Sequence, residues 1–229
     1  MSSQPPPRKP AQLPKPYYQD SAVTIYHGDS SVIIPMLSKF DLLLTDPPYG
    51  INMDKGANDG GTDSTGKYIR RPKKYSGDWD ACAPGLDLIS QCINSCKTSI
   101  IWGGNYMSDR LPQKPKWLVW DKQQVMPTYS DAELAWTTLP GVSVRMFRYG
   151  GNKFKGDESR FHPTQKPLEL MRWCISLVGD SAKTVLDPFA GSCTTGRAAK
   201  DLGKKCICIE REEQFCEAGA LRMQQEVLL

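Results

Sequence analysis

Short apolar runs alternate along this chain with stretches that carry apolar residues at helical spacing. The helical spacing predicts helices over Leu86–Cys96, Leu168–Val178 and Thr194–Leu202. The apolar runs predict strands at Ala22–His27, Asp41–Thr45, Ser99–Trp102, Trp117–Trp120, Thr184–Leu186 and Cys206–Ile209. Because strands alternate with helices, the pattern predicts an α/β fold with a mainly parallel, doubly wound sheet. Ala132–Thr137 and Val142–Tyr149 are close enough in the chain to predict an antiparallel hairpin at one edge.

Two segments do not follow this alternation. Residues 1–20 are rich in proline and cannot bury a core, which predicts a disordered arm or a tail laid on the surface of a single domain at 21–229. Residues 54–80 are rich in glycine and form too long a connection for an ordinary loop. Loops of that length are typically functional or disordered, so we expect this one to serve the site.

The composition is that of an ordinary globular domain. The chain has 229 residues with a net charge of +4, a mild excess that permits a polyanionic partner without requiring one. No run is long and apolar enough for a membrane helix or a signal peptide, which predicts a cytoplasmic protein without membrane contact. The eight cysteines lie in apolar runs at spacings unlike those of zinc sites, so we expect buried thiols and no metal.

The cations are concentrated in two segments, and this changes the meaning of the mild net charge. The first, Lys67–Tyr75, interleaves cations with tyrosines, and the second extends from Arg145 to Lys166. Such segments either contact the phosphates of a nucleic acid or form a solvated surface, and the sequence leaves both readings open. The candidate DNA contacts are Lys67, Arg70, Arg71, Lys73, Lys74, Arg148, Lys153 and Lys155.

The first motif with candidate chemistry is Asp46-Pro47-Pro48-Tyr49, which follows the predicted strand Asp41–Thr45. Open α/β sheets hold their ligands at the carboxyl ends of strands. The prolines have no N–H, so the carbonyls of this turn are available as acceptors, and Tyr49 offers a flat face. A planar base with an exocyclic NH2 group needs this combination. The alternative is a proline-rich turn in which Tyr49 only packs.

The second motif extends from Val185 to Gly196, where a predicted strand ends in a turn of small residues that opens a helix. Small residues allow close approach of a ligand, and a helix start favours a carboxylate or a phosphate. A second strand ends in Glu210, at about the offset where nucleotide-binding folds place an acid for ribose hydroxyls. The dinucleotide fingerprint G-x-G-x-x-G is absent, which favours a nucleoside that carries an amino acid.

Together these motifs and His162-Pro-Thr-Gln-Lys-Pro167 resemble the amino-group DNA methyltransferases that use S-adenosylmethionine. The catalytic motif precedes the cofactor motif, as in the permuted β class, and the likeness covers roughly residues 25–215. Ile101–Asn105 and Glu133–Trp136 resemble segments that line the target pocket. The resemblance implies catalytic roles for Asp46, Pro47, Pro48 and Tyr49. It implies cofactor contacts by Asp29, Thr164, Lys166, Asp187, Pro188, Phe189, Ala190, Gly191, Ser192, Thr194 and Glu210.

The resemblance implies methylation of a flipped-out base in double-stranded DNA by a bacterial or phage enzyme, with N6 of adenine expected from the initial Asp of the first motif. Cytosine-N4 enzymes more often begin with Ser there. Glutamine or RNA methyltransferases, which typically begin with Asn, and a weakly active DNA-binding protein remain alternatives. Residues 138–161, including Arg148, occupy the place of a short target-recognition region, and a homodimer is expected.

One residue departs from the pattern of the family. The cofactor turn usually reads Gly-Ser-Gly-Thr, and Cys193 replaces its second glycine. A positive φ there would cost a cysteine on the order of 1 kcal/mol. Because the helical pattern begins at this point, we expect Cys193 to lie in the first turn of the helix, where cysteine is tolerated.

Overall fold

The computed structural model describes residues 12–51, 80–114, 116–124, 130–141, 143–150 and 165–224, and the backbone alone of 60–62 and 68–70. Its main sheet has the strand order β1-β2-β11-β10-β3-β6-β8-β7-β9. The strands are β1 (Tyr18–Gln19), β2 (Val23–His27), β3 (Phe40–Thr45), β6 (Cys96–Trp102), β7 (Trp117–Asp121), β8 (Ala132–Thr137), β9 (Val144–Arg148), β10 (Thr184–Asp187) and β11 (Lys205–Glu210). A separate antiparallel pair joins β4 (Gly60–Thr62) to β5 (Tyr68–Arg70).

The centre of the sheet is parallel, as the sequence predicts. Strands β2, β11, β10, β3 and β6 pair in parallel, with Val185 opposite Leu42 in the β10–β3 ladder. Strand β6, which follows β3 in the main sheet, lies on one side of the adjacent strands β3 and β10. Strand β11, which follows β10, lies on the other side. The carboxyl ends of β3 and β10 therefore flank a topological switch point, which is where open α/β sheets form their ligand crevice.

Helices cover both faces of the sheet. They are α1 (Ser30–Ile33), α2 (Leu86–Asn94), α3 (Leu168–Val178), α4 (Thr194–Asp201) and α5 (Glu213–Gln224), with 3-10 turns at Ile34–Met36, Gly104–Met107 and Gly179–Ser181. Buried side chains of β3 divide between two cores: Leu42 and Leu44 pack toward Leu170 of α3, and Leu43 packs toward Ile89 of α2. This confirms the doubly wound α/β class.

The antiparallel edge has a different pairing from the one that the sequence suggests. Strand β8 pairs with β6 and β7, and β9 pairs in parallel with the far side of β7. A hairpin between Ala132–Thr137 and Val142–Tyr149 is therefore wrong. Strand β7 separates these two segments, and pairing on both sides satisfies the backbone hydrogen-bonding groups of a strand that buries Leu118 and Trp120. The antiparallel pair at this edge is β7 with β8.

The N-terminal region reaches the sheet before residue 21. Strand β1, inside the predicted arm, pairs antiparallel with β2, and the Asp20 carboxylate lies 2.6 Å from Lys200 Nζ of α4. Residues 1–11 lie outside the described part, so the boundary of the arm stays a prediction. Within the residues that the structure describes, no helix is long and apolar enough to cross a membrane.

Candidate active site

Asp46 lies directly beyond the carboxyl end of β3, at the switch point. Its Oδ1 atom accepts a hydrogen bond from the Tyr49 hydroxyl at 2.6 Å, and its Oδ2 atom accepts one from Lys166 Nζ at 2.6 Å. Burial raises the pKa of Asp46, while the nearby Lys166 ammonium opposes that rise. The site thus holds a shielded carboxylate whose two oxygens both have donors from this chain.

Lys166 bridges the catalytic motif and the edge of the sheet. Its Nζ atom also lies 3.1 Å from the Tyr49 hydroxyl and 3.0 Å from Glu133 Oε2, and its side chain is only 5% exposed. Burial alone would lower the pKa of Lys166, but Asp46 and Glu133 raise it well above its usual value. Lys166 therefore stays protonated beside Asp46. Its predicted contact with the cofactor stays a prediction.

Glu133, on β8, is held between two ammonium groups. Lys122 Nζ lies 2.7 Å from Glu133 Oε1, on the side away from Lys166. Burial would raise the pKa of Glu133, but Lys166 and Lys122 together lower it to about 2. The carboxylate is therefore ionised throughout the neutral range.

The ring of Tyr49 is fixed from several directions. It stacks on Tyr106 with a centroid distance of 4.8 Å and an angle of 16°. A Cβ atom on Gly103 would lie 1.9 Å from Tyr49 Cε1, so only glycine leaves room for the ring. The Asp80 carboxylate accepts hydrogen bonds from the backbone N–H groups of Tyr49 and Gly50 at 2.7 and 2.9 Å. The motif is thus a rigid turn with an aromatic face.

The second predicted motif lies next to Asp46, across the β3–β10 pair. Asp187 Oδ1, at the end of β10, accepts from Thr45 Oγ1 at 2.7 Å and from the Phe189 N–H at 3.2 Å. Burial raises the pKa of Asp187 to about 6. The Thr45–Asp187 bond joins the two motifs directly, so the candidate acceptor and the candidate cofactor turn share one crevice.

Glu210 closes the other side of this turn from the end of β11. Its Oε2 atom accepts from the Gly191 N–H at 2.7 Å, and its Oε1 atom accepts from the Glu212 N–H at 2.8 Å. One strand further, the Asp29 carboxylate caps α1 through the Ser31 N–H. Carboxylates at the ends of three adjacent strands, beside a turn of small residues, are a donor and acceptor set that suits a nucleoside with an amino-acid tail.

Other residues of the small-residue turn form hydrogen bonds with neighbouring segments of the chain. Ala190 N–H donates to the Ile209 carbonyl at 3.0 Å, and the Pro188 carbonyl accepts from Ser30 Oγ. Ser192 Oγ donates to Gln165 Oε1 at 3.2 Å, which ties the turn to the segment that carries Lys166. Thr194 Oγ1 accepts from Nη1 of the buried Arg222 at 2.9 Å.

Cys193 does not have the conformation that the sequence suggests. It precedes α4 with φ 57° and ψ 40°, in the left-handed region, so the expectation of a first helical turn is wrong. The side chain is fully buried. A Cβ atom on Gly219 of α5 would lie 2.5 Å from Cys193 Sγ. The cysteine therefore fills space that Gly219 leaves open, and its burial offsets part of the backbone cost.

Most of the predicted DNA contacts and one predicted cofactor contact lie outside the residues whose side chains the structure describes. Thr164, Lys67, Arg71, Lys73, Lys74, Lys153 and Lys155 lie outside the described residues, and Arg70 is described by its backbone alone. Arg148 is at the exposed edge strand β9, where its Nε atom lies 3.4 Å from Asp121 Oδ2. These DNA contacts stay predictions.

The sequence gives no role to Glu133, Lys122, Asp80 or Tyr106, although they complete the site. Glu133 belongs to a segment that resembles the wall of the target pocket, which is the one available signal. Lys122 and Asp80 belong to no motif, and their contacts arise only when distant segments come together.

Comparison with known proteins finds a family model that matches one part of the chain. The family model described as DNA methylase, for N6 and N4 methyltransferases, matches residues 112–221. Residues 112–221 of this chain are therefore similar to the DNA methylase family. This confirms the resemblance that the motifs indicate.

Several known proteins are similar to this chain over most of their length. The type II methyltransferase M2.MboI of Moraxella bovis is 27% identical over 91% of this chain and 90% of its own. The DNA adenine methyltransferase YhdJ of Escherichia coli is 24% identical, over 90% and 84% respectively. The crystal structure of the M1.HpyAVI–SAM complex superposes with a TM-score of 0.58 at 23% identity, covering 89% of this chain and all of that one. That structural likeness supports the fold.

Proposed function

We propose that this protein transfers a methyl group from S-adenosylmethionine to the N6 amine of a flipped-out adenine in double-stranded DNA. The observation that carries the proposal is the adjacency of two sites. The Asp46 carboxylate and the small-residue turn at Asp187 flank one switch point and are joined by the Thr45–Asp187 hydrogen bond of 2.7 Å. A group-transfer enzyme needs its acceptor and donor in contact, and this crevice provides both places.

The cofactor part of the crevice consists of the ends of β2, β11 and β10. In this proposal, Glu210 accepts the ribose hydroxyls, Asp29 lies near the adenine, and the N-terminal turn of α4 faces the amino-acid tail. The other contacts come from the turn Asp187–Ser192, Thr194, Thr164 and Lys166. When bound, the cofactor supplies an electrophilic methyl group on sulfonium sulfur.

The base part positions and activates the amine. Asp46 and the Pro47 carbonyl accept the two amine protons, which localises the nitrogen lone pair, and the carboxylate stabilises the positive charge that develops. A nitrogen–methyl bond forms as the sulfur–methyl bond breaks, and the nitrogen then loses one proton to water. Asp46 need not be a strong base for this step.

Tyr49 provides the face on which the extruded base stacks. Tyr106 stacks on that ring with a centroid distance of 4.8 Å. The base must therefore displace Tyr106 or enter between the two rings. Flipping costs a few kcal/mol, which stacking on Tyr49 offsets in part.

Adenine is favoured over cytosine by the first residue of the Asp-Pro-Pro-Tyr motif and by the relative named as an adenine methyltransferase. The test is incubation with labelled S-adenosylmethionine and DNA, followed by mass spectrometry of the nucleosides. N6-methyladenine is expected. N4-methylcytosine alone would overturn the choice of base, and transfer to RNA or protein but not to DNA would overturn the substrate.

DNA contact and dimer formation belong to the same proposal. The basic segments around Lys67–Lys74 and Arg148–Lys155 flank the base pocket in sequence, and residues 138–161 are too few for a separate recognition domain. A homodimer would supply further DNA-contact surface. Light scattering of the protein with and without DNA tests this point. A mass that corresponds to one protein chain in both conditions, after the mass of the DNA is subtracted, would contradict the homodimer.

A further inference from the structure

The Lys166 ammonium occupies the acceptor that the target amine requires. This ammonium donates hydrogen bonds to Asp46 Oδ2 at 2.6 Å and to the Tyr49 hydroxyl at 3.1 Å. It also forms an ion pair with Glu133 Oε2 at 3.0 Å, an oxygen that accepts no hydrogen bond in this structure. Since Tyr49 donates to Asp46 Oδ1, both oxygens of the carboxylate are already engaged. The Lys166 ammonium thus contacts the carboxylate where the target amine would bind.

A charge conflict follows once an amine arrives. Methylation generates positive charge on the amine nitrogen, and an ammonium hydrogen-bonded to the same carboxylate opposes that charge. The productive site therefore requires Lys166 Nζ to lie further from Asp46 while remaining paired, because an unpaired charge at 5% exposure is costly.

Glu133 is the acceptor that allows this shift. It already contacts Lys166, and it belongs to a different strand, β8, so movement toward it leads away from β3. Lys122 holds its second oxygen at 2.7 Å, which fixes the carboxylate in place. The three charged groups Lys122, Glu133 and Lys166 thus form an alternating chain that ends at Asp46.

We propose that Glu133 is a positioning residue that takes over the Lys166 ammonium when the target amine binds to Asp46. The inference rests on the proposed function and adds to it a residue outside the catalytic and cofactor motifs. In this proposal Glu133 acts through Lys166. Its charge, rather than its shape, is what the exchange requires.

Charge and shape are separated by two substitutions. Glu133→Gln keeps the shape and removes the charge, whereas Glu133→Asp keeps the charge and shortens the side chain. In single-turnover methyl transfer to DNA that the wild-type protein methylates, Glu133→Gln is expected to lower the rate about tenfold or more, the scale of one charge-assisted hydrogen bond. Glu133→Asp is expected to retain most of the rate, and the affinity for S-adenosylmethionine is expected to be unchanged in both.

A double-mutant cycle tests whether the effect passes through Lys166. In a Lys166→Met background, adding Glu133→Gln is expected to cause no further loss, since no ammonium remains to be drawn from Asp46. Asp20→Asn provides the matched control: it breaks a pair of the same 2.6 Å length, with Lys200, away from the crevice. Its transfer rate is expected to equal that of the wild type.

The outcomes are distinguishable. A Glu133→Gln rate within threefold of the wild type, a larger loss for Glu133→Asp than for Glu133→Gln, or an additive loss in the Lys166→Met background would each overturn this inference while the proposed function stands. If the wild-type protein transfers no methyl group to DNA, the proposed function itself fails and the inference with it.

Discussion

The two halves of the crevice satisfy their carboxylates in different ways. In the cofactor half, Asp29, Asp187 and Glu210 accept hydrogen bonds from backbone N–H groups and hydroxyls, and no ion pair with Lys or Arg joins them among the described residues. In the base half, Asp46 and Glu133 are paired with ammonium groups on long side chains.

This difference indicates how each half is prepared for its ligand. Backbone donors are fixed by the fold and hold these carboxylates in place, so the cofactor half is preorganised. The base half is occupied by groups of this chain, Lys166 on Asp46 and Tyr106 on Tyr49, which must give way. Binding of the cofactor and reaction of the base are therefore separable by mutation.

The largest effect is expected for Asp46→Ala, which removes the amine acceptor. The rate of methyl transfer should fall on the order of a thousandfold, as when one preorganised transition-state contact is lost. The dissociation constant for S-adenosylmethionine should stay within a few fold, measured by calorimetry. Asp41→Asn, at the opposite end of the same strand, should leave the rate unchanged. Retained turnover in Asp46→Ala would contradict the role of the carboxylate.

Asp187→Asn tests the cofactor half through the free energy of unfolding and its dependence on pH. Because burial raises the pKa of Asp187 to about 6, the folded chain favours its protonated form, and the stability of the protein falls as pH rises from about 4 to about 6. Above that range the carboxylate costs about 3 kcal/mol, which Asp187→Asn should recover. Urea unfolding of the substrate-free protein at pH 5 and pH 8 measures this.

The control for that prediction is Asp20→Asn, which is expected to change the stability of the protein in the opposite direction. Hydrogen bonds from Lys200 and the backbone outweigh burial and lower the pKa of Asp20 to about 2, so its charge stabilises the fold at neutral pH. Asp20→Asn should destabilise the protein at pH 8. Equal stability of Asp187→Asn and the wild type at pH 8 would contradict the burial argument.

Glu210→Gln should weaken the cofactor half alone. The amide keeps one acceptor oxygen but presents N–H donors where the carboxylate accepts from Gly191 or Glu212. The dissociation constant for S-adenosylmethionine should rise about tenfold, the scale of one hydrogen bond to a charged group. At saturating cofactor the transfer rate should change little. A tenfold fall in that rate would show that the halves are not separable.

The smallest effect is expected for Tyr106→Ala. Tyr106 is 44% exposed, so truncation should not unfold the protein. Removing a ring that competes with the base for Tyr49 should change the KM for DNA by a few fold, with Tyr106→Phe as the control that keeps the stack. An unchanged KM would show that the base does not meet this ring.

The sequence predicts much of the central sheet and both motifs because strand patterns and motif residues are local properties. Helix α3 has the predicted bounds, and Asp46 and Asp187 lie at strand ends as expected. The pairing at the β7–β9 edge and the ion pairs of Glu133 depend on contacts between distant segments, which periodicity does not encode. The prediction for Cys193 is wrong, and the space for its side chain depends on Gly219, which lies on another helix.

The most direct test of the central claim is a calorimetric titration, in which S-adenosylmethionine is added to the protein without DNA and the heat of binding is measured. A cofactor half that is complete without DNA should bind one molecule per chain, with Cys193 in place, and Asp46→Ala should bind equally well. No detectable binding until DNA is added would contradict the account, since the cofactor half would then depend on the base half for its formation.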